Sequence, residues 1–96
     1  MLERDYQKKL KKKLEVIFPG CIVLKTDPRQ KQGFPDLLVL YGKRWAALEI
    51  KNERKASKQS NQPYWVKKLN EMSFASFIFP EIETEVLDEL QRSFKA

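Results

Sequence analysis

The stretch from Asp36 to Lys51 constrains this chain more than any other. Leu37-Leu38-Val39-Leu40-Tyr41 is apolar on both faces, Gly42-Lys43 interrupts it, and residues 44–51 read as a return strand. A two-residue turn with glycine first fits a type II′ hairpin. In that register Tyr41 faces Arg44 and Asp36 faces Glu49, and Lys51, two residues further on, shares their face. A turn two residues longer would place Asp36 opposite Lys51 and keep the cluster, whereas an odd-length turn would break it. Opposed carboxylates repel. A divalent cation between them reverses the sign of that interaction, and oxygen-only donors suit Mg²⁺ or Mn²⁺. The plainer alternative is a cross-strand charge group on a solvated face. Against it, Leu48 and Ile50 alternate with Glu49 and Lys51 beside a strand apolar on both faces, which implies buried charge.

Around this hairpin the elements follow from periodicity and punctuation. Tyr6, Leu10, Leu14 and Ile17 recur at helical spacing over residues 3–18, and Pro19-Gly20 stops the run. Ile22 to Leu24 suggests a short strand, and a polar, basic loop runs from Lys25 to Gly33. Ser57 to Asn61 offers helix N-caps, Pro63 is tolerated in a first helical turn, and Val66, Leu69 and Met72 form an apolar stripe. Phe74 to Phe79 is a strand ended by Pro80, and a last helix spans about 84–95 with acids early and Arg92 and Lys95 late. The order α-β-β-β-α-β-α makes residues 1–96 a single mixed α/β domain.

Composition narrows the chemistry. Histidine is absent, which excludes imidazole bases and histidine-containing zinc sites. Cys21 is the only cysteine, so no internal disulfide forms; this fits a cytoplasmic, reducing setting, with Cys21 as a small core residue. No apolar run reaches a membrane span and no signal peptide is visible. The net charge of +6 is uneven: residues 1–61 carry 15 Lys and Arg against 7 Asp and Glu, and residues 62–96 carry 4 against 6. Basic charge therefore gathers where the candidate chemistry lies, as expected for a nucleic-acid partner.

Two further residues join the cluster by helical spacing. Glu3, Gln7, Leu10 and Leu14 share one stripe of the first helix, so Glu3 leans inward if the leucines do; alternatively it only complements the helix N-terminus. Gln62 shares a stripe with Val66 and Leu69; alternatively it is a solvated first-turn residue. On these residues the chain resembles the PD-(D/E)XK nuclease superfamily: Gly33-Phe34-Pro35-Asp36, then twelve residues, then Glu49-Ile50-Lys51. Glu3 with Gln7, and Gln62-Pro63-Tyr64-Trp65, are similar to its VRR-NUC (virus-type replication-repair nuclease) branch.

The resemblance implies a restriction-endonuclease-like αβββαβ core, a central mixed sheet flanked by helices, plus a C-terminal helix. It implies Asp36, Glu49 and the Ile50 backbone carbonyl as ligands of Mg²⁺ or Mn²⁺, with Glu3 completing the shell directly or through water. Lys51 would orient or deprotonate the attacking water, and Gln62 would position Lys51 or the scissile phosphate. Arg29, Lys31, Arg54, Lys55 and Lys58 flank the cluster as phosphate contacts, while Lys8, Lys9 and Lys11 to Lys13 wind around the first helix as a partly solvated face. The implied activity is structure-specific cleavage of branched or duplex DNA by a Holliday-junction-resolvase-like homodimer without an organic cofactor. The small core and the aromatic residues Trp65, Phe74, Phe77, Phe79 and Phe94 also motivate the dimer. The alternatives are a catalytically silent DNA-binding module on the same scaffold and a basic RNA-binding protein without metal.

Overall fold

The computed structural model describes residues 2–27, 29–53 and 61–95. Its elements are helix α1 (Glu3–Ile17), strands β1 (Ile22–Lys25), β2 (Leu37–Tyr41) and β3 (Arg44–Ile50), helix α2 (Gln62–Met72), strand β4 (Phe74–Ile78) and helix α3 (Glu83–Lys95). This is the expected α/β order, αβββαβ plus a C-terminal helix. A 3-10 turn at Pro80–Ile82, between β4 and α3, was not anticipated. Pro80 cannot continue the strand ladder, and the Ile82 N–H closes the turn on the Phe79 carbonyl at 3.0 Å.

The four strands form one mixed sheet in the order β1-β2-β3-β4, antiparallel across the first two pairs and parallel between β3 and β4. A parallel pair needs a crossover, which is the place α2 occupies. The hairpin register is the expected one: Tyr41 pairs with Arg44 and Leu37 with Leu48. Gly42 has φ +62° while no described non-glycine residue has positive φ, so the turn is type II′ rather than I′, which would need positive φ at Lys43 too.

Strand alternation divides the apolar side chains between two layers. Leu37, Val39, Ala46, Leu48, Ile50, Phe74 and Ile78 meet Tyr6, Leu10 and Leu14 of α1 and Val86, Leu87, Leu90 and Phe94 of α3. On the opposite face Leu38, Trp45, Ala47 and Ala75 meet Trp65, Val66 and Leu69 of α2. The central strands are thus covered on both sides. The aromatic residues that motivated a dimer are largely spent inside the protomer: Phe74, Phe79 and Phe94 are buried, and Trp65 and Phe77 are half-buried. The exposed apolar side chains lie elsewhere, notably Ile22 and Leu24 on the edge strand β1. Cys21 packs partly buried against the main core, as a small core residue does.

Candidate functional site

The site grows from the open end of the β2–β3 hairpin. Asp36 directly precedes β2, whose last ladder pair is Leu37 with Leu48, and extending that register by one residue puts Asp36 opposite Glu49. Thr26 holds this point of the chain: its N–H donates to the Asp36 carbonyl at 2.8 Å, and its hydroxyl donates to the Pro35 carbonyl at 2.6 Å. The Asp36 carboxylate in turn accepts the Ile50 N–H through Oδ2 at 2.8 Å. The Lys51 N–H donates to the Ile78 carbonyl at 3.0 Å and prolongs the parallel ladder. The end of β3 is therefore tied on one side by an aspartate side chain and on the other by β4.

By strand parity Glu49 and Lys51 lie on the face covered by α2, and Asp36, half-buried at the bend before β2, reaches the end of β3 through its carboxylate. Glu49 is 2% exposed, Lys51 7% and Gln62 8%. These are the buried polar and charged residues of the described chain. Burial pushes the Glu49 carboxyl up to about 9, and Asp36 adds to the shift through a shared hydrogen bond and its charge; Lys51 pulls the other way, and Glu3 adds weakly to the rise. Two carboxyls joined by a hydrogen bond must hold a proton between them. Even so, Oε1 of Glu49 is buried without a partner. An unpaired buried carboxyl oxygen carries the full cost of its lost hydration, and that cost calls for something to occupy its lone pairs.

Glu3 sits at the exposed start of α1, where Tyr6 rather than Glu3 leads the buried stripe. Its carboxyl is nonetheless raised by partial burial and by Asp36, and lowered by Lys51, so it belongs to the same electrostatic cluster. Among the described residues no three His, Cys, Asp or Glu side chains form a group able to hold a metal ion. Glu3 therefore does not stand with Asp36 and Glu49 as a direct third ligand in this arrangement. Gln62 opens α2 and is buried with Leu69, so the solvated first-turn reading does not hold.

The flanking cations divide. Arg29 pairs with Asp27, its Nε and Nη2 donating at 3.1 and 3.0 Å, while its side chain stays exposed. Lys31 lies over the Trp65 ring, 5.7 Å from its centroid. Arg54, Lys55 and Lys58 lie outside the described residues. Two residues escaped the sequence reading. Thr26 anchors Asp36, and its only advance signal was a hydroxyl ten residues upstream of the aspartate. Asn61 does not cap α2 with its side chain; its Nδ2 donates instead to the Gln32 carbonyl at 2.6 Å. It thereby joins the loop that leads to Asp36 to the helix that begins with Gln62. Nothing local in the sequence marks a contact across 29 residues.

The fold is similar to that of Archaeoglobus fulgidus Hjc, a Holliday junction resolvase from an archaeal hyperthermophile, with a TM-score of 0.45 and 12% identity over 75% of this chain and 67% of that one. No family model matches the chain, and no curated protein matches it.

Proposed function

We propose that this chain is a metal-dependent endonuclease of the PD-(D/E)XK type that hydrolyses DNA phosphodiesters. The observation that carries the reading is the half-buried Asp36 beside the buried Glu49, with Glu49 Oε1 unpartnered and Lys51 buried next to them. The residues fit a hard divalent cation. Two carboxylates brought together at a desolvated point repel unless one holds a proton or a cation lies between them, and the donor set is oxygen alone. Mg²⁺ keeps several of its waters and is often held by only one or two carboxylates, so a pair of carboxylates among the described residues suffices for Mg²⁺ or Mn²⁺. Asp36 and Glu49 would hold the ion, with the Ile50 carbonyl as a further oxygen and Glu3 acting through water. When bound, the ion supplies Lewis acidity to water and to the phosphoryl oxygens.

The chain's own residues account for the rest. As an ammonium beside the carboxylates Lys51 is not a ligand and orients the attacking water; taking the water's proton requires its neutral amine. Gln62, fixed by burial at the start of α2, positions Lys51 or the scissile phosphate. Water adds to phosphorus, one P–O ester bond breaks, and the products are a phosphate monoester and a free hydroxyl. The ordered set Asp36, Glu49, Lys51 and Gln62, on a scaffold with the αβββαβ element order, is what supports the VRR-NUC-like branch and branched DNA cleaved by a homodimer as the finer reading. The deciding experiment supplies Mg²⁺ or Mn²⁺ to the protein with single-stranded, duplex, flap and four-way-junction DNA. Cleavage is expected in the wild type and lost in Asp36→Asn and Glu49→Gln. Metal-independent binding without cleavage of any of the four would favour the silent DNA-binding module instead.

A further inference from the structure

Between α1 and β1 lies a cleft of about 220 Å³ whose rim carries Arg4, Lys8, Lys11 and Lys25 and no acid. Its floor is apolar, formed by the partly buried Val23 and the buried Leu37. Arg4, Lys8 and Lys11 follow one another at helical spacings of four and three, so they line one side of α1. At 1.5 Å per residue they span about 10 Å, enough to meet more than one phosphate of a strand. Lys25 closes the opposite wall from the end of β1, where it pairs with Leu37, the residue after Asp36. The floor of the cleft at Leu37 therefore lies one residue from Asp36.

None of these four cations takes part in an ion pair among the described residues, whereas Lys13 is paired with Glu83 and Arg29 with Asp27. Four like charges around one small cleft repel each other, and a polyanion threaded past them relieves that repulsion while releasing its own counterions. A lone phosphate would engage only one or two of the cations; a row of them leading to a hydrolytic site matches a row of phosphates. We infer that the α1–β1 cleft seats the phosphates of one DNA strand as it enters the site of Asp36 and Glu49. This rests on the nuclease reading for its direction, though not for the binding itself. It adds the first helix to the DNA path.

The test is fluorescence anisotropy of a labelled DNA duplex titrated with protein in EDTA over a series of salt concentrations. Lys8→Gln/Lys11→Gln is compared with Lys43→Gln/Lys68→Gln, which removes the same charge from the exposed hairpin turn and the exposed side of α2. At about 0.9 per phosphate contact, the slope of log K against log salt should fall by about 1.8 in the cleft pair. In the control pair it should change by less than about half a unit. Equal changes in both pairs, an unchanged slope in the cleft pair, or no binding by the wild type overturns the assignment. The two readings fail separately. Salt-dependent binding through Lys8 and Lys11 without metal-supplied cleavage sinks the nuclease and keeps the cleft. Cleavage with a cleft pair indistinguishable from wild type does the reverse.

Discussion

Gly33 and Asn61 pack so closely that a methyl group on Gly33 would overlap the Asn61 carboxamide. Gly33 also has φ +81°, a conformation that costs a side-chain-bearing residue roughly 1–2 kcal/mol. The Asn61 amide meanwhile donates to the Gln32 carbonyl beside it. The pair thus joins the segment leading to Asp36 to the first residue of α2, Gln62, and two groups far apart in sequence are brought into one site.

Gly33→Ala is expected to destabilise the fold by about 1–3 kcal/mol, from the backbone conformation and the displaced carboxamide together. Asn61→Ala removes a solvent-exposed hydrogen bond and should cost about 0.5–1 kcal/mol. Because both changes break the same contact, the double variant should lose less than the sum of the singles. Urea unfolding of the four proteins measures this. Strict additivity would mean that the two residues do not act as one latch.

Divalent metal should stabilise the folded chain. Ions that bind only the native state raise stability by mass action, about 2.7 kcal/mol at a hundredfold excess over Kd. For a domain of this size that is roughly 10–20 °C in Tm. Melts in EDTA and in excess Mg²⁺ or Mn²⁺ should show the shift in wild type and not in Asp36→Asn. An equal shift in both would place the ion elsewhere.

The parts legible in sequence were those fixed by local geometry. Gly42-Lys43 set the hairpin register, and with it the placing of Asp36 opposite Glu49 one residue beyond the ladder, because side-chain parity propagates along a ladder from its turn. The spacing of Tyr6, Leu10 and Leu14 gave the buried side of α1. What depended on packing between distant segments was not legible. Phe74, Phe79 and Phe94 read as material for an interface, yet all three are buried within the chain itself. The ion pair of Arg29 with Asp27, two residues away, was not read either. Lys8 and Lys11 read as part of a partly solvated face, because only the placement of β1 beside α1 turns that face into a wall.

The raised Glu49 carboxyl predicts a pH dependence with a definite sign. In the unfolded chain this group ionises near 4.5, and in the folded, metal-free chain near 9. Between those values the native state keeps a proton that the unfolded state has released. Stability from this group is therefore complete below about 4.5 and is lost as pH rises towards 9, by at most about 1.4 kcal/mol per pH unit for one proton. Urea melts in EDTA between pH 6 and 8 should show wild type losing stability with pH faster than Glu49→Gln. Metal binding should displace the same proton, so affinity for Mg²⁺ or Mn²⁺ should rise over this range. Parallel slopes in the two proteins would show that Glu49 is already ionised when the site is empty.

Lys51 separates binding from chemistry. It lies next to Asp36 and Glu49 and is almost fully buried, but its positive charge opposes a cation at the same point. Lys51→Ala should therefore bind metal at least as well as wild type, and it should keep DNA affinity because the phosphate contacts lie elsewhere. Its single-turnover cleavage rate should still fall by ~10²-fold or more, the usual scale for losing a positioned general base. Since a truncated buried side chain also leaves a void, Lys51→Met provides the check: it restores volume without charge and should be as stable as wild type yet as slow as Lys51→Ala. Asp36→Ala, by contrast, should lose both cleavage and the metal-induced stabilisation. The informative measurement is single-turnover cleavage beside metal titration for all three variants. If Lys51→Met cleaves at the wild-type rate, no group at Lys51 acts on the water, and its place in the site is structural.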